Sequence, residues 1–130
     1  MGGSIAGVYA GLVALLVIGL GVRVVRLRLL HQVGIGEGGV PELQRAIRAH
    51  GNLIEYAPLG LLLLLIAELS HALPARALHS AGMLIVAGRA LHAYGLSTSA
   101  RRSPGRFLGS LLTWLTIVAL ALVLIARGLS

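Results

Sequence analysis

Long apolar blocks alternate with short polar stretches along the chain: Ile5 to Val22, Leu59 to Ala67, a mixed block from about Ala77 to Leu96, and Phe107 to Ala126. One helix needs about 20 mostly apolar residues to cross the hydrocarbon layer of a bilayer. The pattern therefore predicts helices over about residues 4–30, 41–70, 74–96 and 104–127. The expected fold is an all-α integral membrane protein, a four-transmembrane-helix bundle forming a single domain over residues 1–130. The Ile5–Val22 run has no basic leader ahead of it and is longer than the apolar core of a secretory signal, so a retained span is expected.

The boundaries have local causes. Pro41 suits the first turn of a helix and Glu42 favours the positive end of its dipole. Ser103-Pro104 reads as an N-cap followed by a first-turn proline. Pro58 falls inside the second helix, where it removes a backbone donor and should kink or loosen it. At roughly 30 residues, or about 45 Å, that helix outruns the membrane core, so its first turns must protrude. Gly7/Gly11 and Gly105/Gly109 are GxxxG pairs that permit close helix approach. The loop from Gln32 to Val40, with Gly34, Gly36, Gly38 and Gly39, reads as a flexible stretch. Its GIGEGG run is no phosphate loop, because it lacks the Lys-Ser/Thr ending and no strand precedes it.

Composition agrees with the bilayer reading and narrows it. The chain is 57% hydrophobic, 12% charged and has a mean hydropathy of +0.92, whereas soluble domains are about one quarter charged. The net charge is +7, and all 11 basic residues are arginine. They are split between loops and membrane helices and are not interleaved with aromatics, which argues against nucleic acid as a partner. Arg23, Arg26 and Arg28 after the first span, and Arg101, Arg102 and Arg106 before the fourth, outweigh Arg76 and Arg127. The first and third loops are therefore expected on the cytoplasmic side, with both termini opposite. With no cysteine, any thiol chemistry must come from a ligand. The five histidines never form an HxxxH or HExxH spacing, so no metal site is expected. Glu68, His71 and His79 read as solvated residues at the far membrane edge.

Most of the polar chemistry lies at the start of the second helix. At about 100° per residue, Arg45, Arg48, Asn52, Glu55 and Tyr56 fall within roughly a 100° arc. Ala46, Ala49, Leu53 and Ala57 form the opposite, packing side, with His50 as its polar exception. Arg48 and Glu55 are two turns apart, so an ion pair between them should need an intermediary or another helix, and Arg89 of the third helix is a candidate partner for Glu55. Tyr56 suits a site or an interfacial anchor, and Asn52 a ligand contact or a bridge between helices.

The run Arg45, Arg48-Ala-His-Gly-Asn52-Leu-Ile-Glu55-Tyr56-Ala-Pro58 resembles the signature of the membrane-associated proteins in eicosanoid and glutathione metabolism, the MAPEG family. That family includes microsomal glutathione transferases and leukotriene C-type synthase. Size, apolar spans and basic loops extend the resemblance over nearly the whole chain, closest to small bacterial members. It implies a homotrimer, a bacterial inner-membrane location, and glutathione bound between neighbouring subunits near the cytoplasmic face. By position, Arg48, Asn52, Glu55 and Tyr56 match the family's glutathione contacts, with Arg89 and His92 beside them. His92 stands where several family enzymes carry Tyr. The enzymatic members use an Arg near the start of the fourth helix to stabilise the thiolate. Arg101, Arg102 and Arg106 are the candidates here, and Arg106, inside the helix, is favoured as the catalytic residue.

These residue types also suit glutathione on chemical grounds. An Arg fork pairs with a carboxylate, a Glu with an ammonium, and an Asn amide with peptide groups. The expected function is a glutathione transferase or peroxidase acting on lipophilic electrophiles that arrive from the bilayer, in contact with membrane lipids. The alternatives are a non-catalytic lipid-binding or scaffold protein of the same fold, and a small exporter. The exporter reading is weakened because no span carries a second acidic relay partner.

Overall fold

A computed structural model of the chain describes residues 3–130. Its helices, in order, are α1 (Ile5–His31), α2 (Pro41–Leu69), α3 (Ala75–Thr98) and α4 (Pro104–Leu129), each within a few residues of its expected bounds. Three of them, α1, α2 and α4, are long and apolar enough to cross a membrane. The outer faces confirm which solvent they suit: Leu15 and Ile18 on α1 and Phe107 and Leu122 on α4 are large, apolar and mostly exposed. α3 falls short of the composition the other three reach, because Arg76, His79, Arg89 and His92 interrupt it. Arg89 and His92 are buried, turned into the protein.

Inside a bilayer, lipid is as apolar as leucine, so close packing and bonds between helices hold a bundle together more than apolar burial does. α2 supplies the central stripe. Leu43, Ala46, Ala49, Leu53, Ala57, Gly60, Leu64 and Ala67 are all buried, recurring every three or four residues, as one helix face requires. The side expected to pack does so, mostly with small residues. α2 continues through Pro58 as one helix. α1 packs on α2 and α3, and α4 on α3 and α2.

The α3–α4 seam is the closest approach. A Cβ at Gly109 would collide with the Gly88 carbonyl and lie 2.6 Å from the His92 nitrogen. One at Gly95 would lie 2.7 Å from Ser103 Oγ and 2.8 Å from the Arg106 nitrogen. The Gly105/Gly109 pair thus serves an interface within the chain. Gly11 meets nothing within 4 Å, and Gly7 meets only Ser4 of its own helix.

Helix ends show devices that composition hides. Val33 N–H donates to Arg28 O and Gln32 N–H to Leu29 O, with Gln32 at φ 55°. Ala72 N–H donates to Ala67 O and His71 N–H to Glu68 O, with His71 at φ 49°. Both are Schellman closures, usually built on glycine. The Gln32–Val40 loop, expected to be flexible, is tied: Arg28 Nη1 donates to Gly36 O at 2.8 Å and Gln44 Nε2 to Glu37 Oε1 at 3.2 Å. Gly36, Gly38 and Gly39 all have positive φ, so these glycines shape the loop.

Glu68 is half-exposed and His79 exposed, at the edge expected for them, but both side chains are engaged. The Glu68 carboxylate accepts from Ile5 N–H (2.6 Å), Ala6 N–H (2.8 Å) and Ser4 Oγ (2.9 Å). An acid near the end of α2 therefore caps the start of α1, where free amides and the helix dipole favour an anion. Beside it, His79 Nδ1 and Tyr9 OH are 3.0 Å apart, and the Tyr9 ring occupies the space that a side chain at Gly82 would need.

Candidate functional site

The first turns of α2 present Arg48 and Glu55 on its open face. Their side chains meet directly, Arg48 Nη1 to Glu55 Oε1 at 3.6 Å, and both remain more than half exposed. The expected intermediary is not required, because a long guanidinium arm reaching along the helix spans the two turns.

Arg89 differs from expectation in its partner. It is 1% exposed and its guanidinium serves Asn52, not Glu55. Nη1 donates to Asn52 Oδ1, Nε to Thr113 Oγ1 at 2.9 Å, and Nη2 to the Gly109 carbonyl at 3.2 Å. Thr113 in turn donates its hydroxyl hydrogen to Gly109 O at 2.9 Å. The Tyr56 ring lies against the cation, its centroid 5.3 Å from Arg89 Cζ, within cation–π range. Glu55 is held on the outer face by Arg48, while Arg89 sits at the junction of α2, α3 and α4 with neutral acceptors. Gly109 was expected only as a packing glycine and Thr113 was missed; their four-residue spacing on one face of α4, opposite Arg89, was the available signal.

His92 and Arg106 come together. They line a cavity of about 380 Å³ with Arg102, Ser103, Phe107, Ser110, Leu111 and Trp114. His92 is largely buried in the glycine seam, so it is both a packing residue and part of the cavity wall. The Ser103 cap forms as expected, Ser103 Oγ accepting from Arg106 N–H at 3.3 Å. The Arg106 guanidinium turns back toward loop three, donating from Nη1 to Arg101 O at 3.2 Å. Trp114 lies 6.1 Å from Tyr56 between ring centroids and joins the Asn52–Tyr56–Arg89 cluster to this cavity. His50 lies against α1, with Nε2 3.5 Å from where a Gly21 Cβ would stand.

One chain thus carries three adjoining polar groups: an open ion pair, a buried arginine junction, and a cavity with one wall basic and the other aromatic. The model of the MAPEG family matches residues 6–126. The chain belongs to the MAPEG family. It is also similar to the inner membrane protein YecN of Escherichia coli (strain K12), with 43% identity over 91 residues, 70% of this chain and 69% of YecN. YecN of Escherichia coli O6:H1 matches to the same extent. As a MAPEG protein with three helices fit to span a bilayer, this chain is a membrane protein. Among the described residues, no three His, Asp or Glu side chains converge as a metal site would require.

Proposed function

We propose that this MAPEG protein binds glutathione and conjugates it, through its sulfur, to a lipophilic electrophile drawn from the bilayer. The observation that carries this reading is the Arg48–Glu55 pair, more than half exposed on a helix otherwise apolar enough to span a membrane. Where α2 passes from its protruding turns into the bilayer, ionised groups that come to face lipid are costly. A second copy covering this face, with a zwitterionic ligand between, gives each charge a partner: a ligand carboxylate for Arg48 and its ammonium for Glu55. A homotrimer with α3 as a fourth span meets that need. The sulfur would lie toward the basic cavity, where the α4 N-terminus and Arg106 favour an anion. The thiol gives its proton to water, and the thiolate attacks the electrophilic carbon, forming the C–S bond as the leaving group departs with its electron pair, or as the π bond of an activated alkene breaks and its electrons move to the far atom, which takes a proton from water.

Lowering a thiol from about 8.5 by one to two units requires roughly 1.4 to 2.7 kcal/mol of preferential thiolate stabilisation, within reach of one arginine in a site shielded from water. Glutathione should raise the melting temperature of the detergent-solubilised protein and develop thiolate absorbance in the ultraviolet near neutral pH. In Arg106→Leu that absorbance should vanish while affinity for a thiol-free analogue changes little. Absorbance that survives in Arg106→Leu and is lost in Arg101→Leu or Arg102→Leu would move the role to the loop. The contact of Arg106 with Arg101 O favours a second reading, a protein that binds without turnover. Its mark is a thermal shift with no thiolate signal in the parent.

The basic loops one and three are proposed to face the cytoplasm of a bacterial inner membrane. The chain has no cysteine, so single cysteines report cleanly. Gly34 and Ala100 are exposed, and Gly34 has room for a side chain, whereas one at Gly38 would press on Val33 at 2.6 Å. Gly34→Cys and Ala100→Cys should both resist an impermeant thiol reagent added outside intact cells. Labelling of either reverses the orientation.

A further inference from the structure

Arginine donates through every nitrogen and accepts through none. A side-chain amide bonded to it must therefore turn its oxygen inward, as Asn52 does toward Arg89 Nη1. Arg89 itself has no freedom to follow a different amide. Nε is fixed on Thr113 Oγ1 and Nη2 on Gly109 O, and the Thr113 hydroxyl hydrogen is committed to that carbonyl, which leaves its lone pair for Arg89. Tyr56 lies against the guanidinium, and at 1% exposure Arg89 cannot reach a ligand. Reversing Asn52 would set N–H groups against N–H groups in a partly buried place, losing a charge-assisted bond and stranding donors.

We infer that Arg89 is a positioning residue that makes Asn52 a donor-only contact, so the site selects a ligand presenting a carboxylate or peptide carbonyl there over one presenting an ammonium or other donor. This rests on the proposed glutathione site and divides its labour: Glu55 is the acceptor on the α2 face, and Asn52, backed by a buried cation, is a donor. The junction uses no carboxylate, so the positive charge behind the amide is not cancelled and further favours an anionic group.

Two substitutions at Asn52 separate this role from simple packing. Aspartate can pair with Arg89 as an anion but keeps no donor for the ligand. Serine can accept from Arg89 and still donate its hydroxyl hydrogen outward. Glutathione affinity, measured by calorimetry on the solubilised protein, should fall only a few-fold in Asn52→Ser and at least about tenfold in Asn52→Asp, while Asn52→Asp stays as heat-stable as the parent. A purely structural Asn52 predicts the reverse order, because aspartate satisfies Arg89 better than serine does. Asn52→Asp binding as tightly as Asn52→Ser overturns the inference. If Asn52→Asp does not assemble, Asn52→Ser against Asn52→Ala carries the same comparison, and equal losses overturn it. If the parent takes up no glutathione, the proposed function falls, and the amide orientation is judged by stability alone. Asn52→Asp should then be more stable than Asn52→Leu, and the opposite order would refute the orientation.

Discussion

Gly109→Ala should lower the stability of the solubilised protein by about 2 to 3 kcal/mol or more, the upper range for overpacking a tight interior. A methyl there meets the Gly88 carbonyl, the His92 nitrogen and His92 Cβ. Two of these are backbone, and backbone cannot rotate away as a flexible side chain can. α3 and α4 must separate, and Gly109 O then shifts from Arg89 Nη2 and Thr113 Oγ1. The damage should therefore include loss of glutathione affinity as well as a lower melting temperature. Gly19→Ala is the control, since a Cβ there meets nothing, and removing a mid-helix glycine ordinarily gains roughly 0.5 to 1 kcal/mol. Equal melting temperatures for Gly109→Ala and the parent would mean that the seam is looser than described.

Arg48→Ala and Glu55→Gln should each weaken glutathione binding by about 1.5 to 3 kcal/mol, the range for hydrogen bonds to charged groups. Their effect on folding should be small. The pair is more than half exposed at 3.6 Å, and exposed ion pairs contribute roughly 0 to 1 kcal/mol. Calorimetry with glutathione, alongside thermal melting and the size of the solubilised oligomer, separates the two effects. Unchanged affinity with a broken oligomer would assign both residues to assembly.

Helix positions and the α2 packing side were legible because they follow from period and punctuation. Ala46, Ala49, Leu53 and Ala57 lie on one face at 3.6 residues per turn whatever surrounds them, and Pro41, Ser103 and Pro104 mark helix starts by their own chemistry. The partner of an ionisable side chain is different, because it depends on which helix lies opposite and at what height. Glu55 was matched to Arg89 by charge alone, yet Arg48 satisfies Glu55 within α2, and Arg89 meets Asn52, Thr113 and Gly109 O. Glu68 was read as solvated because nothing near it in sequence calls for an anion. Its donors lie more than 60 residues earlier. Gln32 and His71 hold left-handed closures at which a reader looks for glycine. The MAPEG signature was legible because it is a contiguous run, whereas the His92–Arg106–Trp114 cavity forms only when α3 and α4 pack.

The Glu68 cap has a bearing on how the chain is made. The amides of Ile5 and Ala6 leave the ribosome before the carboxylate that receives them, which comes at the far end of the second helix. Until α2 has been synthesised and has folded back on α1, the leading end of α1 can be satisfied only by Ser4, water or lipid headgroups. The first hairpin is therefore closed like a clasp, by its last turn gripping its first. A nascent chain stopped in loop one has the hydrophobic length of a span but not the anion that fastens it.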